Sequence, residues 1–484
     1  MRGLVIALLA LVLVSADSSY HLPQLLNNAS HAKKPEPLLW QASLLGSEDA
    51  QQRLVELAAA DKNAFWLEKL VSLRQPEAAW ALYQLDKDAT NSERLLRLAA
   101  RGGVADAQLA YAMASEDMEA REDWLVRAAR QHHAPAQAAL ADLYLLNQSV
   151  DKARPWLEKT ADAYPQSAFQ LGRMLFEEGD TKGGIKLLQR AAINHHVMAK
   201  RLLDIIKEYE IQTPQSVAFT PWSQKQYCAQ KIQMFATSLS SIERASQLYE
   251  AFVKDERLRA LPICMQTPIW LSQDSVECSS DWKQTGRMGC DIRQLEKPVE
   301  STRATHIVLV GDAGKANVNN GIMYLDLSDS YSVLVHELAH FAGFVDEYPL
   351  PVEIARQYCA GEKAPNLVVD GKITYQPLAT VMQWQAIDKT VDIALSRTCN
   401  TVGARAYKPS RQITFMEHHD SGVIPDIYID LWKTQLRTPE AQRPVFMNFF
   451  QHFHYAGDQQ RAGKWLDRYN DFNETSRCAC RLKK

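Results

Sequence analysis

Between about Trp40 and Lys207 the apolar positions recur in blocks rather than in one continuous periodicity. The pairs Trp66-Leu67, Leu95-Leu96, Trp124-Leu125, Trp156-Leu157 and Leu187-Leu188 lie 29, 29, 32 and 31 residues apart. Small-residue pairs follow several of them, at Ala99-Ala100, Ala128-Ala129 and Ala191-Ala192. A short break comes next, at Gly102-Gly103, His132-His133 or Tyr164-Pro165, and then a second helical run such as AQLAYAMA or AQAALADLY. A period near thirty residues with two helices per unit predicts an α-solenoid, in which alanines let paired helices approach and each unit covers the apolar face of the next. The pairs His132-His133 and His195-His196 fall at equivalent breaks, so they read as repeat punctuation rather than metal ligands.

The pattern changes after residue 210. Gln212 to Gln224 (QTPQSVAFTPWSQ) interrupts the helical period with Pro, Ser, Thr and Gln and reads as a linker over 211–225. Beyond it a helical run reaches about Lys254, followed by loop-rich sequence. His306 to Val310 (HIVLV) predicts a buried strand, and Gly321 to Leu327 (GIMYLDL) alternates as a strand with one exposed face would. Asn317, Asn319 and Asn320 before it read as a turn. A helix is predicted from near Ser330. The fold expected is therefore multidomain: an all-α solenoid of helical repeats over 38–210, then an α+β domain over 226–484.

Composition narrows the function. The chain has 484 residues, 46% of them hydrophobic and 23% charged, with a net charge of −3. That balance lacks the basic excess of a nucleic-acid binder and the low hydrophobicity of a disordered chain. Met1-Arg2-Gly3, the apolar run Leu4 to Val14 and the small residues before Asp17 read as a signal peptide over 1–16, too short to cross a bilayer. No later stretch approaches the ~20 apolar residues of a membrane span. The expected location is secreted or periplasmic. All 8 cysteines lie after residue 227, and export permits disulfides among them, with connectivity left open. Cys478 and Cys480 are too close for an easy mutual bridge.

The candidate chemistry lies in HELAHFAGFVD, residues 336–346. His336 and His340, four apart on a helix, project from one face and can grip one metal ion. Glu337 points beside that ion and can take a proton from a bound water, whose pKa zinc lowers towards ~7. Gly343 can turn the chain sharply after the helix, which brings Asp346 back as a third ligand. One Zn2+ is the expected cofactor.

The arrangement HExxHxxGxxD resembles the metzincin peptidases, with aspartate in the third ligand's place as in the snapalysin-type branch. Asp346-Glu347-Tyr348 also matches a tripeptide of IgA-peptidase-like enzymes. The resemblance implies zinc ligands His336, His340 and Asp346 and general base Glu337. It further implies a methionine turn beneath the zinc. Met416, in Thr414-Phe415-Met416-Glu417-His418, is preferred and Met382 is the alternative. His418 then stands where an oxyanion donor is expected, with Tyr348 competing for that role. The strand from Gly321 is placed as the sheet edge that receives a peptide substrate.

Two other metal readings are weaker, since His452 and His454 read as packing elements of an aromatic cluster and Gly343 argues against a distant glutamate ligand. His452 and His454 would share a face if they lay on a strand. Glu353 or Glu362 would replace Asp346 in a gluzincin-like scheme. The repeat pattern WLxxAAxxxxxxAQxxL, clearest over Trp124 to Tyr144, resembles Sel1-like repeats, relatives of the tetratricopeptide family. That resemblance implies a protein partner or substrate held on the repeats and, in an exported chain, a Gram-negative source. The function expected is a zinc endopeptidase. Its alternatives are a catalytically weak zinc-containing adaptor and an amidase acting on a cell-wall bond.

Overall fold

The computed structural model describes residues 21–222, 227–360, 363–370 and 375–481, without the side chains of 375–377 and 475–481. The expected signal peptide, Glu362 and the side chains of Cys478 and Cys480 lie outside that description. The chain forms two compact units, divided between Lys200 and Arg201.

The first unit is helical throughout. Its paired helices include α1 (Leu22–His31), α2 (Glu36–Leu44), α3 (Glu48–Ala60), α4 (Ala64–Ser72), α5 (Pro76–Leu85), α6 (Ser92–Arg101), α7 (Ala105–Ala114), α8 (Met118–Arg130) and α9 (Ala134–Leu146). They continue through α10 (Val150–Thr160), α11 (Pro165–Glu177), α12 (Thr181–Ile193) and α13 (Val197–Glu208). The array therefore begins before residue 38. Ala29 of α1 packs with Leu39, Leu54 and Leu67, although α1 lacks the alanine signature of later units.

The repeat signature has a physical cause. Ala99, Ala100, Ala128 and Ala129 are buried where the next helix crosses. The glutamine of each AQ pair reaches back to the carbonyl of that alanine pair. Gln108 Nε2 donates to Ala100 O at 3.1 Å, and Gln137 Nε2 donates to Ala129 O at 3.0 Å. A buried amide thus adds a second bond to a carbonyl at the end of the preceding helix, beside the turn N–H of Gly103 or His132. The histidine pairs act as punctuation. His132 and His195 take left-handed conformations at φ 59° and 65°. His133 and His196 then cap α9 and α13, accepting from Ala136 N and Ala199 N at 3.3 and 3.2 Å.

The second unit is built on a mostly parallel sheet. Its strands are β1 (Ile211–Gln212), β2 (Gln230–Ala236), β3 (Ile263–Met265), β4 (Ile269–Leu271), β7 (His306–Val310), β8 (Asn317–Asn319) and β9 (Ile322–Leu325), in the order β1-β4-β2-β7-β9-β8 with β3 also on β2. A separate hairpin pairs β5 (Cys278–Ser279) with β6 (Gly289–Cys290), and a small sheet joins β10 (Val368–Val369), β11 (Ala394–Ser396) and β12 (Ala406–Lys408). Helix α14 (Leu239–Lys254) connects β2 to β3, and α15 (Glu296–Thr302) precedes β7. Among the described pairings of the main sheet, only β8 with β9 is antiparallel. The arrangement is thus closer to parallel βαβ construction than the α+β class expected.

Three local expectations need correction. Ile211 and Gln212 are not linker but pair with Trp270 and Leu271 in the main sheet, and Val217 enters the core. Strand β9 is buried at every position, because α20 (Val445–Tyr455) covers one face and β8 takes the edge. The edge strand is therefore Asn317–Asn319, the segment that reads as a turn. The run FFQHFHY lies in α20, not in a strand. Two residues apart on a helix face different directions, so Phe449 and Phe453 pack inward, whereas His454 is exposed and His452 half-buried.

Among the described residues three disulfides fasten this unit: Cys228–Cys264, Cys278–Cys290 and Cys359–Cys399. Such bonds belong to an oxidising compartment. Among the described residues, no helix is long and apolar enough to cross a membrane.

Candidate metal centre

Helix α16 (Tyr331–His340) carries the first three residues of the motif. Leu334, Val335, Leu338 and Ala339 bury it, and His336 and Glu337 are drawn in with them. The helix then stops as its sequence dictates. Gly343 takes φ +81°, with its N–H on His340 O at 3.0 Å and Phe344 N on Ala339 O at 3.2 Å. That left-handed residue turns the chain back and delivers Asp346 to the two histidines.

The three donors converge. Asp346 Oδ1 lies 2.9 Å from His336 Nε2 and 3.1 Å from His340 Nε2, and the two nitrogens are 3.2 Å apart. Each ring uses its other nitrogen on a backbone carbonyl. His336 Nδ1 meets Phe415 O at 2.8 Å, and His340 Nδ1 meets Phe344 O at 2.9 Å. Carbonyls only accept, so the network assigns the Nδ1 atoms as proton carriers and leaves the Nε2 lone pairs facing inward. Two imidazole lone pairs and a carboxylate oxygen without a hydrogen-bond donor thus point at one spot. A metal cation satisfies such a trio, as does a proton shared between Asp346 and the rings. Ligands around a tetrahedral zinc at ~2.0–2.1 Å lie roughly 3.3 Å apart, within a few tenths of an ångström of what is seen. The residues present fit zinc.

Electrostatics agree in sign. Burial disfavours charge on His340, but the Asp346 carboxylate outweighs it and lifts the ring pKa to about 9. Burial opposes ionisation of Asp346, yet His340 and His336 hold its pKa well below the usual carboxylate range. Glu337 also has an oxygen within 4.8 Å of the histidine nitrogens. Asp346 is closer to both, which leaves Glu337 free for proton transfer. Burial, foremost, raises the Glu337 pKa. A carboxylate pushed that way is a better proton acceptor near neutrality.

The turn beneath the ligands comes from Thr414–His418. Phe415 orients His336, Met416 is fully buried, and the Met416 carbonyl accepts from Glu347 N at 2.9 Å. Met382 is 59% exposed on α18 (Tyr375–Ile387). Phe344, Phe415, Tyr428 and Trp432 form an aromatic floor, with Tyr428 and Trp432 supplied by α19 (Asp426–Leu436). Tyr348 stands over the site, its ring parallel to His336 at 6.5 Å and its hydroxyl directed to Asp346. Burial and then Asp346 raise its pKa, so it remains a protonated donor. His418 is exposed and stacks on His419 instead. The chain leaves the site after Met416, so His418 lies away from the ligand trio, whereas Tyr348 stands over it. Glu353 is exposed on α17 (Val352–Tyr358), outside the ligand set.

Two features escaped the sequence. Glu347 is completely buried and receives Tyr428, Asn366, Thr414 and Lys408. Arg287, on the β5–β6 hairpin, lines the same cleft as Glu337, His340, Asp346 and Tyr348. That cleft, ≈ 790 Å³, is also bordered by the edge strand β8.

No family model matches the sequence. No curated protein matches it. Among solved structures the chain is similar to c5321, a protective antigen present in uropathogenic Escherichia coli strains displaying an SLR fold, with 17% identity and a TM-score of 0.31 over 36% of this chain and 44% of that one. It is also similar to a Sel1 repeat protein from Oxalobacter formigenes, with 18% identity and a TM-score of 0.29 over 36% of this chain and 86% of that one. The match thus spans less than half the length of the first of these proteins. The helical-repeat reading of the first unit rests on its own geometry.

Proposed function

We propose that this chain is a zinc-dependent peptidase of the exported, disulfide-bonded kind, with a helical repeat array that docks a protein partner or substrate. The observation that carries the reading is the convergence of His336 Nε2, His340 Nε2 and Asp346 Oδ1 within 3.2 Å, beside a buried Glu337 and an open cleft. A bound zinc ion would supply Lewis acidity, acidifying a water and polarising the scissile carbonyl.

The chain's own residues do the rest. Phe415 O and Phe344 O fix the histidine tautomers and ring planes. Glu337 takes the proton of the attacking water and returns it to the leaving amine, for which its burial beside three counter-groups suits it. Tyr348, whose hydroxyl rests on Asp346, can turn its phenolic O–H to the place where negative charge develops. The edge strand Asn317–Asn319, which borders the cleft, can receive an extended peptide by strand addition.

The test measures zinc content of the full chain and its cleavage of a peptide library, alongside Glu337→Gln. One zinc per chain, cleavage by the wild type and a loss of about a thousandfold in the variant support the reading. A wild type that retains no zinc ends it. Zinc retention with no difference between the two proteins on any peptide or cell-wall amide favours a binding role instead.

A further inference from the structure

Arg287 sits in the 12-residue span closed by Cys278–Cys290, with its carbonyl accepting from Trp282 N at 2.9 Å. Its neighbour Met288 is buried in the main core, and Met288 O accepts from Asn317 Nδ2 at 3.0 Å. The hairpin is thereby fixed both to the core and to the edge strand β8. Arg287 itself is half-buried and lines the cleft. Its charge reaches Glu337 and Tyr348. Yet among the described residues no side-chain hydrogen bond or ion pair holds the guanidinium. Lys315, at the start of the same edge, is exposed on the same lining.

A half-buried guanidinium with five donors and no fixed acceptor is an incomplete pair. Glu337, which its charge reaches, is committed to the proton, and Asp346, on the same cleft, to the proposed ligand trio. The missing acceptor must come with whatever enters the cleft, and a planar fork selects a carboxylate by two parallel hydrogen bonds. Resting on the peptidase reading above, we propose that Arg287 is a specificity-determining residue that binds a substrate carboxylate next to the scissile bond. The carboxylate is either an acidic side chain or the free end of the peptide.

The experiment uses two matched peptide pairs with the zinc-loaded full chain. One pair is amidated and differs as Glu or Gln beside the scissile bond. The other differs as a free acid or an amide at the C-terminus. The wild type is expected to prefer the acid member of one pair about tenfold in kcat/KM, and the pair that responds identifies the source. Arg287→Gln should reduce that preference to within about twofold, Arg287→Lys should keep part of it, and Arg287→Glu should invert it. Binding of the same pairs to Glu337→Gln, followed by calorimetry, gives the comparison without turnover. If no peptide is cleaved by any protein, the peptidase reading has failed, and the binding arm still decides Arg287. Equal treatment of both pairs by the wild type overturns the proposal, as does a preference that survives in a folded Arg287→Gln. Should that variant not fold, the peptide pairs on the wild type and on Arg287→Lys decide.

Discussion

Replacing Glu347 with glutamine changes one atom in a site with no solvent, which makes the expected cost calculable. Glu347 is 0% exposed. Its Oε1 accepts from Tyr428 OH at 2.6 Å and Asn366 Nδ2 at 2.9 Å, and its Oε2 accepts from Thr414 Oγ1 at 2.5 Å and faces Lys408 Nζ at 3.3 Å. A glutamine offers one acceptor oxygen, so its NH2 must face one pair of donors. Asn366 cannot flip to help, because its amide clamps Val345 N and O at 3.0 and 2.8 Å. Lys408 cannot accept at all, although Glu417 would still pair with it. Two charge-assisted bonds are lost and one donor–donor contact is created, at a cost of about 3 kcal/mol. In a unit spanning Arg201–Lys484 that corresponds to a fall of roughly 5 °C in Tm. Zinc affinity should fall about tenfold as well, since Glu347 N holds Met416 O and the next residue back is the ligand Asp346. Thermal unfolding by circular dichroism and zinc competition with a chelator measure the two effects. Lys408→Met should cost a similar amount, and the double variant less than the sum, because the charges are then lost together. An unchanged Tm and zinc affinity in Glu347→Gln would refute the claim that this network locks the ligand loop onto the methionine turn.

Other consequences are open to measurement. Asp346→Ala should weaken zinc binding more than a hundredfold, whereas Glu353→Ala, at an exposed helical position, should leave it unchanged in the same chelator competition. Burial, with Asp326 and Glu337 adding to it, raises the Asp329 pKa from 3.8 to about 6. A carboxyl raised on folding favours the fold while protonated and loses that contribution as pH rises through its folded value. Asp329→Asn should therefore gain stability relative to wild type between pH 4 and 7, read as diverging urea midpoints; parallel midpoints would contradict it. Removing the Cys359–Cys399 bridge by a double serine substitution opens a 40-residue separation and should cost about 4 kcal/mol in denaturant unfolding.

The parts of this molecule that were legible in sequence are those whose cause is local or repeated. Ala99-Ala100 and Gln108 announce a helix crossing because the same small pair and amide recur one period later at Ala128-Ala129 and Gln137. His336, His340, Gly343 and Asp346 announce a convergence of donors because helical spacing and one left-handed turn are enough to gather them. What stayed hidden depends on partners far along the chain. Asn317–Asn319 is short and rich in turn-forming residues, and only pairing with Ile322–Leu325 makes it a strand. His452 and His454 look like neighbours on a strand until Phe449 and Phe453 draw the segment into a helix against Trp465. Glu347 reads as one more acid in a loop. Its burial follows from Thr414, Lys408 and Tyr428, all more than sixty residues away. Arg287 carries no motif, since its meaning comes from the hairpin that places it.

The disulfides tie these hidden features to the legible ones. Cys278–Cys290 closes the hairpin that presents Arg287 to the cleft. Cys359–Cys399 anchors the loop in which Thr398 Oγ1 donates to Asp346 O at 2.7 Å and Thr398 O receives Leu350 N at 3.1 Å. Neither bridge touches a ligand atom, yet each fixes a backbone segment that a ligand or cleft residue depends on. A carboxylate ligand needs this support more than a third histidine would. Asp346 has a short side chain, and it must be held within a few tenths of an ångström of two rings set by a different part of the chain. The proposed zinc ligands, gathered by the helix and its turn, should accordingly be held most firmly once the bridges have formed. If the site takes up zinc as proposed, reduced full chain should bind it more weakly than oxidised chain, even though none of the bridged cysteines is among the proposed ligands.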